Sequence, residues 1–304
     1  MRLESDMLRS LLALGVLSLL VAGAQAHDEV DEFAGVTIET TPLRGGMFML
    51  SGAGGNMLAG TGVDGAFLVD DQFAPLHQRI RDALKAIGAE PLRFIINTHW
   101  HGDHTGGNED FAKEGVVILA QDNVRRRMSA EQVIEALKQT VPPSPQSALP
   151  VITFSDEATL HLNGDSAHAI HIEHAHTDGD SLVWFEKANV LHMGDIFFNQ
   201  MYPLIDLSTG GGINGVIAGG ERGLALANDE TQIIPGHGPL ATKADLAAYV
   251  AMLRDVRDRV ATLKAAGKSR DEVVAARPTA AYDERLGHGF ISPDQLVSFV
   301  FDSL

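Results

Sequence analysis

Residues 98–104 read Thr98-His99-Trp100-His101-Gly102-Asp103-His104, which places three imidazoles and one carboxylate within six consecutive positions. Imidazole nitrogen and carboxylate oxygen are the ligands zinc accepts where no thiolate is offered, and this chain has no cysteine. In an extended segment alternate side chains share a face. His99 and His101 can therefore converge on one ion while Asp103 and His104 turn toward a second. Such a stretch needs further ligands from distant parts of the chain, and three later segments offer them. His176 lies in Ala175-His176-Thr177-Asp178-Gly179-Asp180, Asp195 ends His192-Met193-Gly194-Asp195, and His237 lies in Pro235-Gly236-His237-Gly238. Each is a ligand type beside a strand, with a glycine neighbour that permits close backbone approach. His174 is an alternative to His176. His168 and His171 read as solvent-facing strand residues, and His192 as a satisfied core histidine.

The pattern between these motifs predicts alternating strands and helices. Residues 36–42 and 46–50 read as strands, and 56–60 and 66–70 as a hairpin around Gly62 and Gly65. Leu76, Ile80, Leu84 and Ile87 recur at helical spacing before Gly88. Phe94-Ile95-Ile96 is a short apolar strand that delivers the metal motif at its C-terminal end, where α/β architectures place their sites. A short helix is expected near 109–113 and an amphipathic helix over 121–139, followed by a Pro-rich loop. The stretch 151–193 reads as a series of strands. Helices are expected at 241–266, at 269–275 and near the C-terminus, where Ser292 caps and Pro293 opens the first turn. Strands followed by helices, twice over, suggest two similar halves packed face to face.

The N-terminus reads as a separate object. Arg2 and Arg9 precede the apolar run Leu11–Ala22, and Ala24-Gln25-Ala26 has the pattern of a secretory cleavage site. The expectation is a signal peptide over 1–26 and a single domain over 27–304, periplasmic or secreted, with no membrane association after cleavage. The formal net charge of −17 repels nucleic acid and anionic lipid. A small-molecule substrate is therefore expected, with a monomer as the default assembly.

Taken in order, H-x-H-x-D-H, then His, Asp and His, the motifs resemble those of the metallo-β-lactamase-fold hydrolase superfamily. The likeness covers the chain to about residue 245. It implies an α/β fold, a four-layer αβ/βα sandwich, with two zinc ions at one edge. By matched position His99, His101 and His176 would bind the first zinc; Asp103, His104 and His237 would bind the second; Asp195 would bridge them. The β-lactamases of the family carry cysteine where this chain has Asp195, and a lysine where it has Phe198. An aspartate there resembles the glyoxalase II-like and lactonase-like hydrolases.

The resemblance implies hydrolysis in which a metal-activated hydroxide attacks the carbonyl of a small amide, lactam, lactone or ester, with promiscuous β-lactamase activity within that range. Asp103 would hold the nucleophile and shuttle its proton. Asp70, at a strand end, is a candidate acceptor for a ligand imidazole. Trp100, Phe198 and Asn214 are candidate pocket residues, the last within a glycine run, 208–215, expected to form a mobile loop at the site mouth. A glyoxalase II-type thioester hydrolase and a non-catalytic zinc-dependent binding protein are the alternatives. Iron or manganese would suit the donor set nearly as well.

Overall fold

Buried side chains alternate across two sheets, and that alternation sets the layers. The structure, a computed structural model, describes residues 33–304; the expected export signal lies outside the described residues. The first sheet begins with the antiparallel run β1 (Glu39–Pro42), β2 (Met47–Ser51), β3 (Met57–Gly60) and β4 (Ala66–Val69). It continues in parallel through β5 (Leu92–Ile96) and β6 (Val117–Gln121). A separate hairpin, β7 (Gln132–Ile134) and β8 (Gln139–Val141), precedes the last strand, β9 (Ile152–Phe154). The second sheet runs β10 (Glu157–Leu162), β11 (Asp165–His171), β12 (Ser181–Phe185) and β13 (Val190–His192), antiparallel throughout. β14 (Gln232–Ile234) then pairs with β13 in parallel.

Met49, Leu58, Val69, Ile96 and Leu119 of the first sheet meet Ala169, Val183, Phe185 and Val190 of the second in one shared core. The Phe67 and Phe185 rings stack across it at 5.1 Å. Leu50, Leu68, Ile95 and Ile118, one position away, are equally buried on the opposite face. The short helices of the first half are α1 (His77–Ala86), α2 (Gly102–Thr105), α3 (Asn108–Lys113) and α4 (Asp122–Met128). The second half adds α5 (Ile213–Leu226), α6 (Lys243–Ala265), α7 (Arg270–Ala275), α8 (Asp283–Leu286) and α9 (Pro293–Ser303). Leu182, Leu191 and Ile233 turn outward to a core formed with Val216, Leu246, Leu253 and Val300 of α5, α6 and α9. The result is the four-layer αβ/βα sandwich. Among the described residues, no helix is long and apolar enough to cross a membrane.

Two sequence expectations are corrected. Residues 121–139 are not one helix: α4 stops at Met128, and the β7–β8 hairpin follows, turned by Lys138 at φ 53°. Ile134 and Val141 of that hairpin pack into a small core with Trp100 and Val124, so burial on two strands replaces the helical stripe. The glycine run is not a free loop either. Gly211 N–H donates to Asp206 O at 2.9 Å and Gly212 N–H to Ala175 O at 2.8 Å, and α5 begins at Ile213.

A candidate metal centre at the sheet edge

The site collects where parallel strands end. Asp70 follows β4, the segment 97–104 follows β5, Asp195 follows β13 and His237 follows β14. After β5 the chain is held by Asp70, whose carboxylate accepts from Thr98 N–H at 2.7 Å and Thr98 Oγ1 at 2.8 Å. His99 and His101 extend from this anchor, and α2 then turns Asp103 and His104 toward the other side. His176 is fixed just ahead of β12 by a turn in which Asp180 accepts from Thr177 N–H and Oγ1. His237 is pinned by a parallel bridge to Phe198, whose ring stacks on it at 5.1 Å and 19°. Backbone must come very close here: a Cβ at Gly236 would sit 2.0 Å from Asp195 Oδ1, and one at Gly55 2.1 Å from the His104 ring.

Two groups result, His99, His101, His176 and Asp195 in one, and Asp103, His104 and His237 in the other. In the first, His176 Nε2 lies 2.9 Å from His101 Nδ1 and 3.4 Å from Asp195 Oδ2, and His99 Nε2 lies 3.9 Å from the same oxygen. In the second, Asp103 Oδ2 lies 3.3 Å from His237 Nε2 and 3.5 Å from His104 Nε2. Asp195 touches both groups, because His104 Nε2 is 3.1 Å from its Oδ1 and His237 Nε2 is 3.4 Å from its Oδ2.

This arrangement fits zinc. Bonds of about 2.0–2.1 Å in a tetrahedral shell set donor atoms about 3.3 Å apart, near the spacings above. His99 Nε2 is buried with no hydrogen-bond partner, and His104 Nε2 and Asp195 Oδ1, buried 3.1 Å apart, are not aligned as a hydrogen bond; a cation among these atoms relieves that costly state. The far nitrogens, by contrast, are satisfied. His104 Nδ1 donates to Asp70 Oδ2 at 2.8 Å, His176 Nδ1 to Leu204 O at 2.8 Å, and His101 Nε2 to Asp206 Oδ2 at 3.1 Å. Thr98 Oγ1, which gives its own proton to Asp70, accepts from His99 Nδ1 at 3.1 Å. Acceptors behind four rings leave four lone pairs facing the site, the tautomers a metal requires.

The charges reinforce one another. Burial alone would lift Asp103, but His104 and His237 outweigh it and hold its carboxyl at about 2. Asp195 is held well below the usual carboxylate range against the same burial, by His104, His237 and His99. Burial opposes protonation of His237, yet Asp195 and Asp103 raise it to about 9. His176, with burial dominant over the pull of Asp195, falls to about 4.

The remaining sequence candidates separate. Exposed His174 lies outside both groups and bonds Gly210 O, and His192 is buried and bonds Asn56 O. Trp100 and Phe198 are buried props: Trp100 stands 4.7 Å from the His101 ring with its Nε1 on Thr209, and Phe198 backs His237. Neither lines the cavity that opens on the site, and Asn214 sits exposed on the first turn of α5, also away from it. Sequence reasoning missed Asp206, which accepts from His101, Ser208 and Thr209 together. Its one sequence signal is an acid two and three residues ahead of Ser208 and Thr209, a local turn pattern.

The chain is 28% identical over 174 residues to the 2,4-dinitroanisole O-demethylase subunit alpha of Nocardioides sp., a match covering 56% of this chain and 49% of that one. It is 31% identical over 120 residues to the hydroxyacylglutathione hydrolase of Methylococcus capsulatus, 39% of either chain. The matches thus span half or less of these curated relatives. Among solved structures, the metallo-beta-lactamase from Pontibacter korlensis superposes with a TM-score of 0.59 at 17% identity, over 72% of this chain and 100% of that one. The family model for the metallo-beta-lactamase superfamily spans residues 45–263, from the approach to β2 through nearly all of α6, and the chain belongs to that superfamily.

Proposed function

We propose that this chain is an exported, dinuclear zinc-dependent hydrolase that adds water to the carbonyl of a small ester, lactone or amide. The observation that carries this reading is that both ligand groups open on one cavity of about 370 Å³, whose floor includes His101, Asp103, Asp195 and His237. Zinc held by His99, His101 and His176, and by Asp103, His104 and His237, with Asp195 between, would supply Lewis acidity and lower the pKa of solvent toward about 7. The protein's own residues do the rest. Asp103, partly open to the cavity, accepts a proton at Oδ2 from the attacking water and returns it to the departing oxygen or nitrogen. Asp195, almost wholly buried, fixes a negative charge between the groups. Asp206 and Leu204 hold His101 and His176 in place, so the site needs little reorganisation as charge develops.

Phe198 stands where the β-lactamases of the family carry a lysine, and it offers no charge to a β-lactam carboxylate; lactam turnover is expected to be slow. A thioester-hydrolase reading draws support from the 31% identity to hydroxyacylglutathione hydrolase. The test is hydrolysis of a neutral ester, a lactone, a hydroxyacyl thioester and nitrocefin by the full chain, chelated and zinc-restored. Turnover that zinc restores and Asp103→Asn reduces by about 10²-fold or more supports the proposal. Two metals bound with no turnover of any carbonyl would sink it in favour of a binding protein. Export is checked by N-terminal sequencing of protein from intact cells, with a start near His27 expected.

A further inference from the structure

We infer that the substrate carries an uncharged, apolar group that sits between the β7–β8 hairpin and Phe290, an inference that rests on the hydrolytic reading of the same site. The cavity above the ligand groups is walled by Ile134, Leu137 and Val141 of the hairpin, and by Phe73, Leu204 and Phe290. Among the described residues, no lysine or arginine lines it. A second cavity, of about 550 Å³, adjoins across Ala53, His237 and Phe290, and its lining also lacks lysine and arginine while including Glu39. A carboxylate carried away from the metals would thus be buried with no cation to pair it. The net charge of −17 adds repulsion at longer range.

The wall leaves apolar side chains open to water at the cavity mouth. Leu137 is 45% exposed and Phe290 52% exposed, both at the cavity. Apolar area left in water at a functional mouth is recovered when an apolar ligand covers it. Phe290 also continues an aromatic surface that reaches the metal ligands, its ring 5.9 Å from both His237 and Phe198. The hairpin is preformed. Arg127 donates to Gln132 Oε1 at 3.2 Å while pairing with Asp178 at 2.7 Å, and Glu135 N–H donates to Ser208 Oγ at 3.3 Å. Its position is therefore tied to the 204–209 segment that props His101 and His176.

The test uses zinc-loaded full chain and two ester series, methyl esters of lengthening acyl chain and acetates of lengthening alcohol. Each buried methylene raises kcat/KM by up to roughly fourfold, so a rise of about tenfold or more is expected along one series. Carboxylate-terminated analogues of equal length should fall well below the neutral ones. Leu137→Ser, at a half-exposed position that the fold does not depend on, should flatten the rising series, and Leu137→Lys should narrow the gap between neutral and carboxylate-terminated esters. Two flat series, or anionic analogues turned over as well as neutral ones, would overturn the inference and leave the hydrolase standing. Absence of turnover with every ester would overturn the inference, and would overturn the hydrolase as well only where the lactone, the thioester and nitrocefin are also left intact.

Discussion

At the scale of single residues, the atoms behind the ligands decide how well the site is made. Asp206 illustrates this, because it is wholly buried, holds the far nitrogen of His101, and is itself held by two hydroxyls and a backbone N–H. Asp206→Ala should weaken zinc binding by about 10- to 100-fold with the fold retained, measured by competition with a chromogenic chelator. Unchanged affinity would show that His101 needs no such support. Asp70 was legible in the sequence from its place at a strand end, because strand ends are where this architecture gathers ligands. Asp206 was not: its link to His101 depends on how a distant irregular segment lies over the site, and no spacing rule encodes that. The raised pKa values yield a second expectation. In metal-free protein His237 sits at about 9 and His104 well above its usual range, Asp195 and Asp103 outweighing burial. Zinc must displace those protons. Calorimetric titration at pH 7.5 in two buffers of different ionisation enthalpy should show proton release, and identical heats would contradict it. The sign for stability follows. A histidine raised on folding stabilises fully below about 6.5 and loses that contribution as pH climbs through its folded value. Chelated protein should thus lose melting temperature between pH 6.5 and pH 9, which are the ordinary and folded values for His237, and zinc-loaded protein should not.

Secondary-structure elements were legible in proportion to how far local pattern governed them. α1, α6 and α9 carry periodic apolar faces, and α6 and α9 also carry capping boxes, which are sequence-local features. The β7–β8 hairpin misled because Val133, Ile134 and Leu137 fall at helical intervals, whereas pairing of Gln132 with Val141 and Ile134 with Gln139 places Val133 and Ile134 on a strand and leaves Leu137 in the connecting turn. Helix α5 was hidden by its glycines, poor helix formers in isolation. Packing explains them: a Cβ at Gly220 would lie 2.5 Å from Val250 Cγ2 of α6, and one at Gly219 2.7 Å from Ile196 Cγ2. An alanine in an open helix would gain roughly 0.5–1 kcal/mol over glycine. Here overpacking against stiff, branched side chains costs about 1–3 kcal/mol, so Gly220→Ala should destabilise by roughly 1–2 kcal/mol in urea denaturation. A stabilised variant would mean that the α5–α6 contact can relax.

At the scale of the molecule, candidate ligands drawn from both sheets mean that bound metal would help to join the two halves. The residues 99–104 come from the end of the first sheet, and His176, Asp195 and His237 from the second. Anything that binds the folded site and not the unfolded chain adds stability by mass action. Chelation should therefore lower the melting temperature by several degrees or more, reversibly on adding zinc, whereas an unchanged transition would place the metals outside the folding balance. The four layers could be anticipated from the sequence, as could the convergence of the seven candidate ligands, because each is a donor residue type close to the end of a predicted strand. The pocket could not, since Phe290 and Leu137 reach it from segments far apart in sequence with no motif of their own. The proposed mechanism requires two ions, one in each group, with Asp195 shared. Diffraction from zinc-soaked crystals, recorded on both sides of the zinc absorption edge, tests it directly. Two anomalous peaks about 3.5–4 Å apart are expected, one beside His99, His101 and His176 and one beside Asp103, His104 and His237. A single peak at full occupancy, or peaks away from Asp195, would contradict it.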